Sequence, residues 1–281
     1  MPILYIVATP IGNLEDITLR ALRILGEVDL IAAEDTRVTR KLLDRHKLKT
    51  HLVSYHAHNY RRQIPKILKT LSQKNVALVS DAGMPGISDP GAELVNAVSK
   101  SNITIVPIPG PSAITTAIAA SGLEGDQFIF VGFWPRRSSE RKKLLEVLSS
   151  DPKALVVFET PHRFKKSLSD VLSVFGNRQI TVCREMTKIH EEIFRGTITD
   201  ALLHFSRPIG EFTLIIHGAQ PLKPDNEGLE KNAITSLTLL RNQGLKAKEA
   251  VATVVQETGL PKSRVYKIWL NLANISDINS H

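Results

Sequence analysis

Two acids stand side by side at Glu34-Asp35, followed by Thr36-Arg37. At the end of an apolar run such a pair can orient a hydroxyl or take its proton. Asp35 or Thr36 can equally cap the next helix, with Arg37 neutralising an acid. A second segment, Ser80-Asp81-Ala82-Gly83-Met84-Pro85-Gly86-Ile87-Ser88-Asp89-Pro90-Gly91, holds three glycines, two prolines and two aspartates. Glycine allows positive φ and close backbone approach, and proline stiffens the chain. Aspartate accepts hydrogen bonds from amines and hydroxyls. A plain connection needs about one Gly and one Asp, so this composition reads as a ligand-binding loop. Its glycines precede no Lys, and the loop Ala8–Asp16 holds only Gly12. Neither segment is a dinucleotide fingerprint or a phosphate loop, which argues against nicotinamide dinucleotides and nucleoside triphosphates.

Other candidates are weaker. His51, His56 and His58 cluster, yet no carboxylate or thiol stands at a ligand spacing, so no metal is expected. Phe158-Glu159-Thr160-Pro161-His162-Arg163 and Cys183-Arg184-Glu185-Met186-Thr187-Lys188 each run from an apolar stretch into polar residues. Cys183 with His190 makes no convincing nucleophilic pair. Basic residues recur as Arg37, Arg40, Lys41; Arg61, Arg62, Lys66; and Arg163, Lys165, Lys166, which read mostly as solvated faces. The dense group Arg136, Arg137, Arg141, Lys142 and Lys143 follows Phe133-Trp134 and reads as phosphate contact with base stacking.

These residues need a scaffold. From residue 3 to about 217, apolar strand-like runs alternate with amphipathic helical runs, which implies a mostly parallel sheet covered by helices. Strands are expected at 3–8, 28–33, 51–54, 76–79 and 103–106, then at 127–132, 154–158, 179–183 and 211–217. A helix at 17–25 is expected to stop at Gly26. A break falls at Ser121–Asp126, and Ala219–Asn226, with Pro221 and Pro224, reads as a linker. Beyond it, 230–242, 246–258 and 262–272 are helical. Gly259-Leu260-Pro261 joins the last two in a helix-turn-helix pattern, although Val255 is larger than the residue usual there. The expected domains are therefore 1–121, 122–222 and 229–281. Lys246, Lys248, Lys262, Arg264 and Lys267 favour nucleic-acid contact by the last.

The chain has 281 residues and a formal net charge of +8, which favours a polyanionic partner. Its single cysteine excludes an internal disulfide and fits a reducing cytoplasm. No apolar run nears the roughly 20 residues of a membrane span, and Met1–Tyr5 opens no signal peptide.

Six motifs occur in order: Ala8–Thr18, Glu34–Arg37, Ser80–Gly91, Pro109-Gly110-Pro111-Ser112-Ala113, Phe158–Arg163 and Arg184–Lys188. Together they resemble the tetrapyrrole methylase superfamily. More closely, they resemble its branch that methylates the ribose 2′-oxygen of a decoding-centre cytidine in bacterial 16S rRNA. The resemblance covers about residues 3–220, and the tail is similar to that branch's C-terminal domain. It implies two α/β domains with S-adenosyl-L-methionine in the cleft between them, a small all-α helix-turn-helix-like domain, and a homodimer. It implies a cofactor site of Asp81, Ala82, Gly83, Ile87 and Ser88 with Pro10 beneath, then Ser112 and Ala113. Phe158 and His217-Gly218-Ala219 would close the site. Glu34, Asp35, Glu185 and Lys188 become candidates for the proton acceptor. Arg136, Arg137, Arg141, Lys262 and Arg264 become candidates for contact with 16S rRNA of the small ribosomal subunit. A methyltransferase for a tetrapyrrole-like metabolite and a non-catalytic RNA-binding protein are the alternatives, separated by the methyl acceptor and by cofactor binding.

Overall fold

The computed structural model describes residues 2–123, 125, 127–219 and 226–278. The expected linker therefore falls mostly outside the described residues, as do positions 124 and 126 of the expected break. The chain divides into two compact units, Met1–Ala219 and Gln220–His281.

The first unit holds two five-stranded sheets. One is built from β1 (Ile3–Val7), β2 (Leu30–Ala33), β3 (Leu52–Ser54), β4 (Val76–Val79) and β5 (Thr104–Ile108), in the order β3-β2-β4-β1-β5. Every pairing in it is parallel. All four residues of β4 are buried, as a central strand covered on both faces requires. Helices α1 (Leu19–Glu27) and α2 (Thr36–Arg45) close a core on one face, with Ala21, Leu25 and Leu43 against Val7 and Val79. Helices α3 (Tyr60–Leu71) and α4 (Ala92–Lys100) close the other, with Ile67 and Leu94 against Leu4 and Leu78. Each such buried Val, Leu or Ile side chain contributes about 1.5–3 kcal/mol. All the loops at the carboxyl ends of these parallel strands emerge at one edge, where open α/β sheets bind ligands.

Gly26 does not stop α1; it lies inside the helix, which ends when the Val28 N–H bonds the Ile24 carbonyl. The glycine serves close packing, since a Cβ there would stand 3.2 Å from Leu48 Cδ2.

The second sheet departs further from expectation. It comprises β6 (Phe128–Phe133), β7 (Ala154–Glu159), β8 (Gln179–Arg184), β9 (Glu192–Thr197) and β10 (Phe212–Ile216), in the order β6-β7-β10-β8-β9. Only β6 and β7 pair in parallel. β10 runs antiparallel to both β7 and β8, and β9 antiparallel to β8. β9 was not expected, because Glu-Ile-Phe-Arg-Gly-Thr shows no apolar run. Helices α6 (Ser138–Leu148), α7 (Pro161–Phe175) and α8 (Ile198–His204) cover one face over Leu155, Val182 and Leu214. The other face carries Val156, Cys183 and Ile215. It receives Ala117 of α5 (Ala113–Ser121), the helix that follows the first sheet's last strand. The small residues of α5 thus let one sheet's helix lie flat on the other sheet.

The second unit is a bundle of α9 (Asn226–Asn242), α10 (Ala247–Thr258) and α11 (Lys262–Ile278) around Leu237, Val251, Val254 and Val265. Gly259 turns the chain between α10 and α11 at φ 70°, and Leu260 plugs the core. Val255 is half-buried against this core. Among the described residues no helix is long and apolar enough to cross a membrane.

Candidate active site

A cavity of about 380 Å³ opens where the loops of both sheets meet in the first unit. Its floor is the glycine loop. Thr9 and Gly83 exchange backbone hydrogen bonds of 2.9 and 3.0 Å, and Thr9 Oγ1 donates to the Ser80 carbonyl at 3.1 Å. Gly83 needs φ 77° to turn back on itself. Gly91 touches Gly86 so closely that a Cβ would lie 2.9 Å from the Gly86 nitrogen. Ser88 holds φ 62° without being glycine, a strained conformation of the kind that clusters at functional sites.

The cofactor candidates Asp81, Ala82, Gly83, Ile87, Ser88, Ser112, Ala113 and Phe158 all line this cavity. Pro10 is buried, and its neighbour Ile11 supplies the lining. His217, Gly218 and Ala219 do not line it. They follow β10, whose antiparallel course carries them to the far end of the sheet. There Ala219 donates to the Asp151 carbonyl at 2.7 Å, and a Cβ on Gly218 would collide with the Pro152 carbonyl. The start of β10 faces the cavity instead, through Glu211, Phe212 and Thr213. A strand's direction is not legible in an apolar run, which is why the wrong end was expected.

Phe133 and Phe158 form an apolar wall, with ring centroids 5.6 Å apart. Trp134 does not share it: the indole is 1% exposed and belongs to the core beneath. Base stacking is thus open to Phe133, which is 46% exposed, and closed to Trp134.

The acids sort by surroundings. Asp35 caps α2, accepting the Arg37 N–H at 2.8 Å. The Arg37 side-chain hydrogen bonds hold its carboxyl down at about 2. Glu34 lines the cavity, and partial burial raises its pKa. Its carboxylate accepts the Asp81 N–H at 3.4 Å, while Asp81 accepts the Asp35 N–H at 2.9 Å. Asp89, also in the wall, is pushed up to about 6 by desolvation and then by the charges of Glu34 and Asp81.

Asp89 has a consequence for stability. The unfolded chain releases this proton near the ordinary aspartate value of 3.8, and the folded chain keeps it to about 6. Between those values the native state binds more protons, so stability falls as pH rises, and it stays lowered above 6. Asp89→Asn should flatten that decline and raise the melting temperature at pH 8, read by thermal unfolding across pH 4–8. Equal melting curves for both proteins throughout would refute it.

Glu185 and Lys188 are engaged with each other. Lys188 Nζ bonds Glu185 and Glu211 carboxylates, both at 2.9 Å, and Glu185 also accepts the Glu211 N–H at 2.9 Å. Desolvation opposes both charges, but these bonds prevail: Glu185 ends below, and Lys188 above, its usual pKa. Glu185 and Thr187 both adopt positive φ, 51° and 68°, around Met186, which lines the cavity. Gly210 leaves the room: a Cβ there would stand 2.5 Å from Glu185 Cγ. Thr187 Oγ1 also accepts the Asn13 N–H at 3.0 Å, joining this loop to one from the first sheet. Glu185 and Lys188 therefore shape the wall and are poor proton acceptors.

Among the basic candidates, Arg136 and Arg137 are exposed just beyond Phe133. Arg141 is not available to a ligand. It is 1% exposed and bonds Asp170 through Nε (2.9 Å) and Nη2 (2.5 Å), and the Pro135 carbonyl through Nη1 (2.7 Å). It anchors the loop that displays Arg136 and Arg137. In the bundle, Lys262 is exposed, whereas Arg264 gives Nε to Glu230 at 2.6 Å, tying α11 to α9.

The sequence reading did not single out Asp89, Glu159, Met186 or Glu211 for the cavity, though Asp89, Glu159 and Met186 lie inside noted motifs. Cys183 is buried, and desolvation pushes its thiol to about 11, so it is inert. Among the described residues no cluster of His, Cys, Asp and Glu is arranged to hold a metal.

The model of the family "Tetrapyrrole (Corrin/Porphyrin) Methylases" matches residues 3–202. The chain is 44% identical over 272 residues to "Ribosomal RNA small subunit methyltransferase I" of Halalkalibacterium halodurans, covering 95% of this chain and 94% of that one. It is 48% identical over 220 residues to the protein of that name from Thermotoga maritima, covering 77% and 99%. Among solved structures, "methyltransferase CobJ" superposes with a TM-score of 0.61 at 18% identity, covering 78% of this chain and 95% of that one. Cobalt precorrin-4 methyltransferase gives 0.56 at 19% identity, covering 77% and 94%.

Proposed function

The chain belongs to the tetrapyrrole methylase family and is an S-adenosylmethionine-dependent methyltransferase; from that premise we propose that it methylates RNA of the small ribosomal subunit. Its acceptor is the ribose 2′-oxygen of a decoding-centre cytidine in 16S rRNA, and it works as a homodimer on the assembled subunit in the cytoplasm. The observation that carries this reading is identity near 44% over almost the whole chain with relatives named for small-subunit rRNA. The tetrapyrrole enzymes among its structural neighbours are 18–19% identical, a level that speaks for fold alone.

The cavity fits the cofactor. The small side chains of Ala82, Ser112 and Ala113 let a ligand approach the backbone, and the Phe133–Phe158 wall suits an adenine ring. Glu34, Asp81 and Asp89 supply negative charge toward a ligand that carries a sulfonium and an ammonium. S-adenosylmethionine, when bound, supplies a methyl group already activated on sulfur. The protein's task is alignment, exclusion of water and removal of the hydroxyl proton. Glu34 is the acceptor we assign. Asp35 is clamped by Arg37, and Glu185 and Lys188 hold one another.

The test is methyl transfer from labelled S-adenosylmethionine to unmodified small subunits, with nuclease mapping of the label. Label on one ribose 2′-oxygen supports the reading. Transfer to a precorrin and not to RNA would favour the metabolite enzyme, and no binding of S-adenosylmethionine would favour a non-catalytic RNA binder.

The bundle adds phosphate contacts in this reading. Lys262→Ala with Lys248→Ala should raise the KM for subunits about 10-fold and flatten its salt dependence, since each lost phosphate contact removes released counterions. Arg264→Ala should lower the bundle's stability as well, because it frees Glu230. An unchanged KM and salt slope in the double lysine variant would count against the bundle as an RNA contact.

A further inference from the structure

Beside the cavity the first sheet carries a second basic lip whose cations meet no carboxylate among the described residues. β2 and β3 are parallel neighbours, with Ala33 opposite Ser54. The loops that follow them leave the sheet side by side, at the end where Glu34 lines the cavity. The β3 loop is rigidly built. Asn59 accepts the His56 N–H at 2.9 Å and donates to the Ser54 carbonyl at 3.1 Å, and His56 Nδ1 accepts the His58 N–H at 3.1 Å. His56 is close enough to Glu34 to act on its charge. This loop delivers three exposed side chains, His58, Arg61 and Arg62.

Among the described residues, neither arginine is matched by a carboxylate: Arg61 and Arg62 enter no ion pair. Arg61 Nε donates to the adjacent Tyr60 hydroxyl at 3.2 Å, and its guanidinium lies 5.8 Å from the centre of the Tyr60 ring. The first turn of α3 carries no acid, and Asn59 spends its side chain away from the cap. Two cations at the positive end of a helix lower its stability unless an anion faces them. Arg37, with its side chain 87% exposed at the start of α2, is paired with Asp35 at 2.6 Å and is close enough to Asp81 in the cavity wall to act on its charge.

We infer that this lip seats a second stretch of the RNA substrate, with backbone phosphates on Arg61 and Arg62 and an unpaired base against His58. The inference rests on the RNA reading above and extends it. The acceptor strand would then run between two basic lips, Arg136–Arg137 on the second sheet and Arg61–Arg62 on the first. Exposed cations and an aromatic ring on a rigid loop are the pattern by which single-stranded RNA is held.

The experiment uses the full chain and Arg61→Gln/Arg62→Gln. Methyl transfer to unmodified small subunits gives KM, and filter binding of protein-free small-subunit rRNA across salt gives the slope. The expected KM rises about 10-fold, and the log–log salt slope becomes shallower by about 1.4 for two single-strand contacts. Affinity for S-adenosylmethionine stays within about twofold, and the melting temperature does not fall, because the removed charges oppose the helix dipole. His58→Ala weakens rRNA binding about 5-fold through lost stacking. A KM and slope equal to wild type overturn the inference. So does a raised KM with unchanged binding of protein-free rRNA, which would assign the lip to a subunit protein. Failure of the wild-type chain to methylate any RNA would overturn the proposed function instead, while the rRNA salt slope still reports on the lip.

Discussion

Arg141→Met should destabilise the protein by about 3–5 kcal/mol, the usual cost of removing one partner from a buried ion pair. Asp170, with its side chain 13% exposed, would then face only Ser138 Oγ at 2.8 Å and Lys142 at 3.8 Å. The Pro135 carbonyl would lose its 2.7 Å donor. Methionine replaces the aliphatic stem but none of the five N–H groups, so the loss is polar rather than a cavity. Lysine does not rescue it, because one ammonium cannot reproduce the forked contact to Asp170 and Pro135. The melting temperature should fall by roughly 10 °C for a chain of this size. Desolvation works against the Asp170 charge, but its bonds to Ser138 and Arg141 prevail and leave its pKa lowered. That stabilisation is therefore present above the ordinary aspartate value and is lost as pH falls through the lowered one. The deficit of Arg141→Met should accordingly shrink in acid. Urea unfolding at pH 7 and at pH 3 checks both statements. A variant as stable as wild type at pH 7, with weaker RNA binding, would return Arg141 to the surface role that its sequence context suggests.

Arg141 also shows where reading the sequence stops. Phe133-Trp134 followed by five basic residues reads as one RNA-contacting patch, and composition treats its members alike. The fold separates them by helical phase: Arg136 and Arg137 precede α6 and face solvent, while Arg141 falls on the same buried side as Leu145. The parallel first sheet was legible because each buried strand is a short apolar run and each connection a helix. The second sheet was less so. β9 hides in Glu192–Thr197, since an edge strand needs no apolar run on both faces. β10 was found, but its direction depends on pairing with β7 and β8, a long-range fact. That one reversal moved the expected lining from His217–Ala219 to Glu211–Thr213. Motifs placed Ser80–Gly91 at the cavity, because glycine and proline content reports backbone geometry locally. Motifs did not separate the four acceptor candidates, because a carboxylate's role depends on what surrounds it.

Glu34→Gln should lower kcat about 10²- to 10⁴-fold, the range that a positioned proton acceptor contributes. The amide keeps an acceptor oxygen for the Asp81 N–H, so the loop and the affinity for S-adenosylmethionine should be nearly preserved. A fall in kcat with little change in cofactor Kd is the signature of a group that acts on the reacting hydroxyl. The pH profile makes the assignment specific. Desolvation raises the Glu34 pKa, so the carboxylate needed as acceptor forms above the ordinary range. Wild-type kcat should therefore rise with pH through that raised value and then level off, and the Glu34→Gln profile should lose the step. Asp89 titrates nearby, at about 6, and part of its shift comes from the Glu34 charge. Removing that charge lowers the Asp89 pKa, so any step that survives in Glu34→Gln should move to lower pH. Asp89→Asn provides the contrast: it should keep most of kcat and keep the step. Single-turnover rates on unmodified subunits from pH 5 to 9, for the wild type and both variants, decide it. If Glu34→Gln turns over like wild type and Asp89→Asn does not, the acceptor is Asp89.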